Sequence, residues 1–173
     1  MEFTNQTSTV SRRTQDDYDL WSASGVAKNV LTIGAVSAVT GGYQNPEEVK
    51  SAYFSSWGST DDGRTRPDLV GNGVGVFSSV ATSDAAYDSY DGTSMAAPNI
   101  TCSMFLLQEQ YAKLHQNATM RAATLKGLVI HTADEVGKAA GPDYIYGWSL
   151  LNTAKAAALI LNSDATHLLA EKN

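Results

Sequence analysis

The sequence predicts an α/β domain in which helices pack in layers against a mainly parallel sheet, and two observations lead to this prediction. Short apolar runs of strand length occupy the first half of the chain, and three helical patterns follow them. The run at residues 30–36 is almost continuously apolar, which is typical of a parallel strand buried on both faces. Strands that precede helices around such a strand indicate a layered α/β architecture.

The strand candidates are apolar runs that lie between turn signals. They are residues 30–36, 52–57, 69–70 and 74–80. Gly-Gly at 41–42 and Asn-Pro at 45–46 predict a loop after the first strand. The polar residues 59–67 predict a surface loop, and residues 71–73 separate the last two strands. We expect the first strand to be central, with one neighbour missing or supplied by another molecule, because exposed strand edges recruit partners.

Three helices are predicted in the second half of the chain, at residues 94–114, 119–132 and 150–161. The first half of the first helix is apolar on nearly every side, so we expect it to be buried. Cys102, the one cysteine of the chain, is then a core thiol. Thr119 is a suitable N-cap for the second helix. Four aromatic residues in the strand region are expected to lie in the core or at its rim rather than to form a binding platform. They are Tyr53, Trp57, Tyr87 and Tyr90.

Composition argues against several classes of partner and site. The formal net charge is −6, which disfavours nucleic acid and anionic lipid, because both bind basic surfaces. No apolar run approaches the roughly 18 residues of a membrane helix. Residues 1–5 lack the layout of a signal peptide, so any export signal is expected outside this chain. No metal site is predicted, because no cluster of Asp, Glu, His or Cys has ligand spacing, and no cofactor is identifiable.

Residues 91–98, which read DGTSMAAP, carry the clearest chemistry. A turn glycine delivers Ser94 to the first turn of a helix, where free N–H groups and the positive end of the helix dipole lie. A serine there has donors beside its own Oγ, which suits the oxyanion formed in acyl transfer. Pro98 is expected to be tolerated as a first-turn residue. The alternative is a serine that only caps the helix.

The string GTSMAAP at residues 92–98 resembles the nucleophile motif of the subtilisin-like serine peptidases. Further likeness lies in FSSWG at 54–58, TRPDLV at 65–70, GWSLLN at 147–152 and the apolar run at 30–36. The resemblance spans about residues 24–162 and implies a subtilisin-like three-layer domain, present as its C-terminal part. Residues 1–23 are then an N-terminal loop or remnant, and residues 163–173 are a polar tail.

The resemblance implies a serine-type endopeptidase that hydrolyses peptide bonds through an acyl-enzyme on Ser94. It implies that the Ser94 backbone N–H forms half of the oxyanion hole, and that Gly92, Thr93, Met95 and Pro98 support the motif. Family members often bind calcium, but no residue here places such a site. The resemblance also implies a secreted, periplasmic or cell-surface protein.

Several features of the family pattern have no counterpart in this chain. The family order is aspartate, histidine, serine, yet no histidine precedes Ser94, and the Asp-Thr-Gly, His-Gly-Thr and Ala-Gly-Asn strings are absent. Residues 71–73 read GNG where the family has Ala-Pro-Gly, and Ser149 stands where it has glycine.

None of the three histidines is a convincing replacement for the missing base. His115 lies 21 residues beyond Ser94 on the same predicted helix, about 30 Å away at 1.5 Å per residue. His131 is expected to be structural or at the surface, and His167 lies in the polar tail. The chain alone is therefore expected to be inactive.

Three functional hypotheses remain open from the sequence. The chain is the serine-bearing part of a peptidase, or a subtilase-derived domain with a binding or structural role, or an unrelated domain with a chance motif. For the first hypothesis the expected partners are protein or peptide substrates, together with the upstream half of the catalytic domain or a second copy of the chain.

Overall fold

The computed structural model describes residues 21–162. Its strands are β1 Ile33–Val36, β2 Gly58–Ser59, β3 Thr65–Arg66, β4 Leu69–Asn72, β5 Val76–Ser79 and β6 Tyr87–Tyr90. Its α-helices are α1 Thr93–Leu114, α2 Ala122–His131 and α3 Thr153–Leu161. Most of the predicted N-terminal segment, the polar tail and His167 lie outside the described residues.

β1 and β4 form the central parallel pair, in a register that runs from Ile33 opposite Leu69 to Val36 opposite Asn72. β4 is buried on both faces, because Leu69 packs among the helices while Val70 packs against a separate cluster of valines. The α/β class with a parallel central sheet is therefore confirmed. The other two strand pairs, β2–β3 and β5–β6, are antiparallel.

Both outer edges of the central pair are covered by other parts of the chain. Beyond β4, the Val70 N–H donates to the Ser149 carbonyl at 3.1 Å. Beyond β1, Ala35 accepts from the Ala52 N–H at 2.9 Å and donates to the Ser55 Oγ at 3.0 Å. Residues 50–55 cover this edge at Ala35, but within residues 21–162 no second strand pairs with β1, so the expectation of a missing strand neighbour stays a prediction.

The structure differs from the predicted strands and loops in three places. Residues 52–57 form no strand, since their polar groups bond to the edge of β1 in an irregular turn. The predicted loop at 59–67 contains the turn between β2 and β3. β6 follows a turn that the sequence did not signal, and it pairs with β5 as an exposed hairpin.

Hydrogen bonds near each helix start help to determine its first residue. α1 begins one residue before the predicted start. α2 begins at Ala122 rather than Thr119, because the Gln108 side chain bonds both the N–H and the carbonyl of buried Met120, and Arg121, the N-cap, is extended. α3 begins at Thr153, and the Asn152 side chain caps it by accepting from the Lys155 N–H at 2.8 Å.

α1 packs on the central strands and on α3, but its first half is not buried on all sides. Ala96, Ile100 and Leu107 form the buried face. Cys102 and Phe105 are exposed, and Phe105 retains 69% of its accessible surface. The predictions that the first half of α1 is buried on nearly every side and that Cys102 is a core thiol are therefore wrong within residues 21–162.

Candidate active site

Ser94 is the second residue of α1 and its side chain is exposed. The turn that presents it is tied to the central sheet, because the Gly92 N–H donates to the Gly73 carbonyl at 2.8 Å. The neighbouring Asp91 carboxylate accepts from the Gly75 N–H at 2.6 Å. Two hydrogen bonds thus fix the turn immediately before Ser94 against the residues that leave β4.

Gly73 permits this close approach because it has no side chain. A Cβ built there lies 2.7 Å from the Gly92 carbonyl oxygen and 2.7 Å from the Ala35 Cβ. Ala96, from the first turns of α1, lies 3.2 Å from the same point. The sequence analysis missed this role, although glycine between β4 and the nucleophile turn is the signal of a close backbone contact.

The first turn of α1 leaves a backbone donor free, the N–H of Ser94 itself, among the residues that the structure describes. The Met95 and Ala96 N–H groups both donate to the Gly92 carbonyl, at 3.0 and 3.3 Å. The Ser94 N–H has no acceptor among residues 21–162. A free N–H at the positive end of a 22-residue helix favours an anion beside the Ser94 Oγ.

Pro98 is placed differently from the expectation. It is the sixth residue of α1, inside the helix rather than in its first turn. Because proline has no N–H, the Ser94 carbonyl loses the hydrogen bond that residue 98 otherwise donates. The first turn around Ser94 is therefore held by the Gly92 carbonyl and by packing of Ala96, with fewer helical bonds than usual.

Neither histidine in the described part of the chain is a base for Ser94. His115 follows the last residue of α1, where its ring stacks on Tyr111 at 3.8 Å and its Nδ1 lies 2.9 Å from the Tyr111 carbonyl. The length of α1 separates it from Ser94 by about 30 Å. His131 is the exposed last residue of α2. His167 lies outside the described residues.

Ser94 lies on an exposed stripe of α1 that is largely apolar. Residues at a spacing of about four share one helix face, and Ser94, Pro98, Cys102 and Phe105 are all exposed. Leu106, at the border of this stripe, retains 61% of its accessible surface. We call these five residues the Ser94 stripe.

The remaining expectations concern metals, membranes and two motif residues. Thr93 and Met95 are half-buried on either side of Ser94. Within residues 21–162, no group of three or more His, Cys, Asp or Glu side chains suits a metal ion. No helix of that part is long and apolar enough to cross a membrane.

Comparison with known sequences gives a match to the family described as the subtilase family, over residues 5–149. The C5a peptidase of Streptococcus pyogenes serotype M3 (strain ATCC BAA-595 / MGAS315) is 43% identical over 93 residues, which is 54% of this chain and 8% of that protein. The cuticle-degrading serine protease of Arthrobotrys oligospora is 43% identical over 74 residues, which is 43% of this chain and 16% of that protein. The chain therefore spans a small part of the relatives it matches.

Comparison with solved structures gives a match to the CspB protease of Clostridium perfringens. The TM-score is 0.69 at 23% identity, over 85% of this chain and 30% of that one. At this identity the match shows a shared fold. It agrees with the parallel central pair and with the long helix that begins beside Ser94.

Proposed function

The chain belongs to the subtilase family, and on that premise we propose that it carries the nucleophile of a serine endopeptidase, Ser94. The observation that supports this most is an exposed serine at the start of a long helix, beside its own unbonded N–H. Ser94 is not the cap of α1, because the N-cap is Gly92 and no side chain makes a capping hydrogen bond there. Protein or peptide chains are the proposed substrates, and a secreted, periplasmic or cell-surface location is proposed with them.

In the proposed reaction the Ser94 Oγ attacks the carbonyl carbon of the scissile peptide bond. The Ser94 N–H stabilises the oxyanion of the tetrahedral intermediate, which collapses to an acyl-enzyme as the amine leaves. Gly92 lets the chain enter the helix sharply, and Thr93 and Met95 hold the turn by packing. Attack requires a base to take the Ser94 proton, and neither described histidine is within reach of the Oγ.

We propose that a further polypeptide segment covers the Ser94 stripe and brings this base. Ser94 shares its helix face with apolar Pro98, Cys102 and Phe105, so a segment that buries those side chains also lies beside the Oγ. Burying a side chain such as Phe105 stabilises an interface by about 1.5–3 kcal/mol. The upstream half of a subtilase domain is the proposed segment, with a second copy of this chain as the alternative.

Labelling with a fluorophosphonate tests the assignment of Ser94. The 173-residue chain is expected to label weakly, because neither histidine within residues 21–162 is within reach of Ser94. A chain extended upstream by segments that carry the family's aspartate and histidine is expected to label readily and to hydrolyse casein. Ser94→Ala abolishes both, whereas Ser103→Ala, on the same helix, retains both. Strong Ser94-dependent hydrolysis by the 173-residue chain alone contradicts the proposed need for a separate base.

A charge on the Ser94 stripe tests the proposed covering segment. Phe105→Glu is expected to change the unfolding free energy of the 173-residue chain by less than about 0.5 kcal/mol, because the side chain is exposed. It is expected to weaken binding of an added upstream segment by tenfold or more, because burial of an unpaired charge is costly. Leu161→Glu, at an exposed position at the end of α3, is the matched control. Equal effects of the two substitutions contradict the assignment.

A non-catalytic binding or structural role is the second candidate, because neither described histidine can act on Ser94. It is supported if the extended chain folds, carries all three catalytic residue types and does not react at Ser94. In that outcome the exposed stripe is a binding surface, and the serine is only the N-terminal residue of that surface.

A further inference from the structure

The β5–β6 hairpin projects directly before the nucleophile turn and is exposed on both faces. Phe77 and Tyr87 stack on one face, with ring centroids 5.6 Å apart and an interplanar angle of 22°. They retain 68% and 62% of their accessible surface. An isolated two-stranded hairpin is marginally stable in water, and an exposed aromatic pair on one is typical of a binding surface.

The hairpin and its ends carry only negative charge. Asp84, Asp88 and Asp91 are exposed, and no lysine or arginine occurs from residue 67 to residue 112. None of the three aspartates forms a salt bridge within the described part of the chain. A second copy of this acidic chain would bring like charges against like, which disfavours self-association at this surface.

We infer that the hairpin binds extended peptide segments that contain arginine, with Phe77 and Tyr87 as the contact surface for the guanidinium. Arginine stacks on aromatic faces and pairs with carboxylates, so it matches both features of the hairpin. Asp84, in the turn between β5 and β6, supplies the complementary charge, whereas Asp88 follows Tyr87 on β6 and points to the opposite face of the hairpin.

The position of the hairpin makes the substrate of Ser94 the expected source of such a segment. Tyr87 lies seven residues before Ser94, which limits their separation to about 25 Å. An extended peptide covers that distance with about seven residues. The inference therefore rests on the proposed function and adds a preference: substrates with arginine within about seven residues of the cleaved bond.

Peptide binding to the Ser94→Ala chain tests this preference without requiring catalysis. A fluorescent ten-residue peptide with two arginines is compared, by anisotropy, with the same peptide containing citrulline, which is isosteric and uncharged. We expect the arginine peptide to bind at least fivefold more tightly. Phe77→Ala and Tyr87→Ala are each expected to weaken it about two- to fivefold, and Asp84→Asn by a similar factor that disappears in 0.5 M salt.

Matched controls separate the hairpin from general effects of charge and aromatic surface. Tyr144→Ala removes an aromatic ring that is 48% exposed elsewhere, and Asp61→Asn removes an exposed carboxylate in the β2–β3 turn. Both are expected to leave peptide affinity unchanged. Equal affinity for the arginine and citrulline peptides, or equal losses in the controls, overturns the inference.

A photoreactive arginine peptide on the chain with an intact hairpin covers the case in which a hairpin variant fails to fold. Cross-links are expected within residues 76–90, and cross-links confined to other parts of the chain overturn the inference. The two proposals fail separately. Hydrolysis by the extended enzyme without an arginine preference removes only this inference. Arginine-peptide binding without Ser94-dependent hydrolysis removes the proposed catalysis and leaves the hairpin as a peptide-binding surface.

Discussion

Replacing Gly73 with alanine tests whether the nucleophile turn is held by a close backbone contact. The new methyl group would lie 2.7 Å from both the Gly92 carbonyl oxygen and the Ala35 Cβ. Neither neighbour can move freely, because Ala35 belongs to β1 and the Gly92 carbonyl accepts the first hydrogen bonds of α1. The collision must therefore shift the start of the helix that carries Ser94 or the central strand.

The magnitude follows from the cost of overpacking. Extra methyl groups in a packed interior destabilise by about 1–3 kcal/mol, and two rigid contacts at Gly73 place this case near the upper value. Removal of glycine from the unfolded chain offsets about 0.4–1 kcal/mol. We expect Gly73→Ala to lower the free energy of unfolding by about 2–2.6 kcal/mol and the melting temperature by about 4–10 °C.

Gly127→Ala is the matched control for this prediction. Gly127 lies inside α2, and a Cβ built there has no atom within 4 Å. Alanine is favoured over glycine in a helix interior by about 0.5–1 kcal/mol, so this variant is expected to be more stable than the unsubstituted chain. Urea unfolding of the three proteins measures both changes. A neutral Gly73→Ala, or effects of the same sign at both glycines, refutes the packing argument.

Three further predictions concern single side chains. Ser149 has φ +94 and its Oγ forms two hydrogen bonds. Ser149→Ala and Ser149→Gly both lose these bonds, but only alanine keeps the backbone strain. The free energy of unfolding in urea should therefore be about 1–2 kcal/mol lower for Ser149→Ala than for Ser149→Gly, and the reverse order contradicts the strain. The pKa of Asp62 is lowered to about 2, and the largest cause is the hydrogen bond from the Thr60 hydroxyl. The ionised carboxylate therefore contributes to folding stability above its ordinary pKa, and this contribution is lost as the pH falls through about 2. Thr60→Val should raise the pKa of Asp62 in a carboxyl NMR titration, and an unchanged pKa refutes the cause. Asn152→Ala removes the α3 cap and a bond to Asp134, which should destabilise by about 1–2 kcal/mol in urea unfolding; a neutral variant contradicts the cap.

The local pattern of the sequence predicted the parts of the fold that local chemistry decides. The start of α1 is correct within one residue, because a turn glycine and an apolar helix determine it together. The buried strand at the first apolar run is present, although it begins at Ile33 rather than residue 30. Ser94 was predicted at the start of an accessible turn for the same local reason, and its catalytic role stays a proposal.

Features that depend on distant residues were not predictable in the same way. An apolar pattern shows which side chains are hydrophobic, but not which of them are covered by another element. Phe105 was therefore expected to be buried, although it is exposed. Thr119 has the chemistry of a cap, yet the Gln108 side chain, twelve residues before Met120, bonds the backbone of Met120 and keeps it out of the helix. The positive φ of Ser149 was not predicted, although Ser149 stands where the family has glycine, the residue that adopts positive φ without strain.

The position of β4 between two distant parts of the chain has a consequence for biosynthesis. Its partners are residue 33 on one side and residue 150 on the other, at sequence separations of 36 and 80 residues. A ribosome adds about 5–20 residues per second, so Val70 waits roughly 4–16 s for Leu150 to be made. During that interval one edge of a buried strand is open to other nascent chains. Chaperone demand and aggregation during synthesis should therefore depend on how quickly residues 70 to 150 are translated.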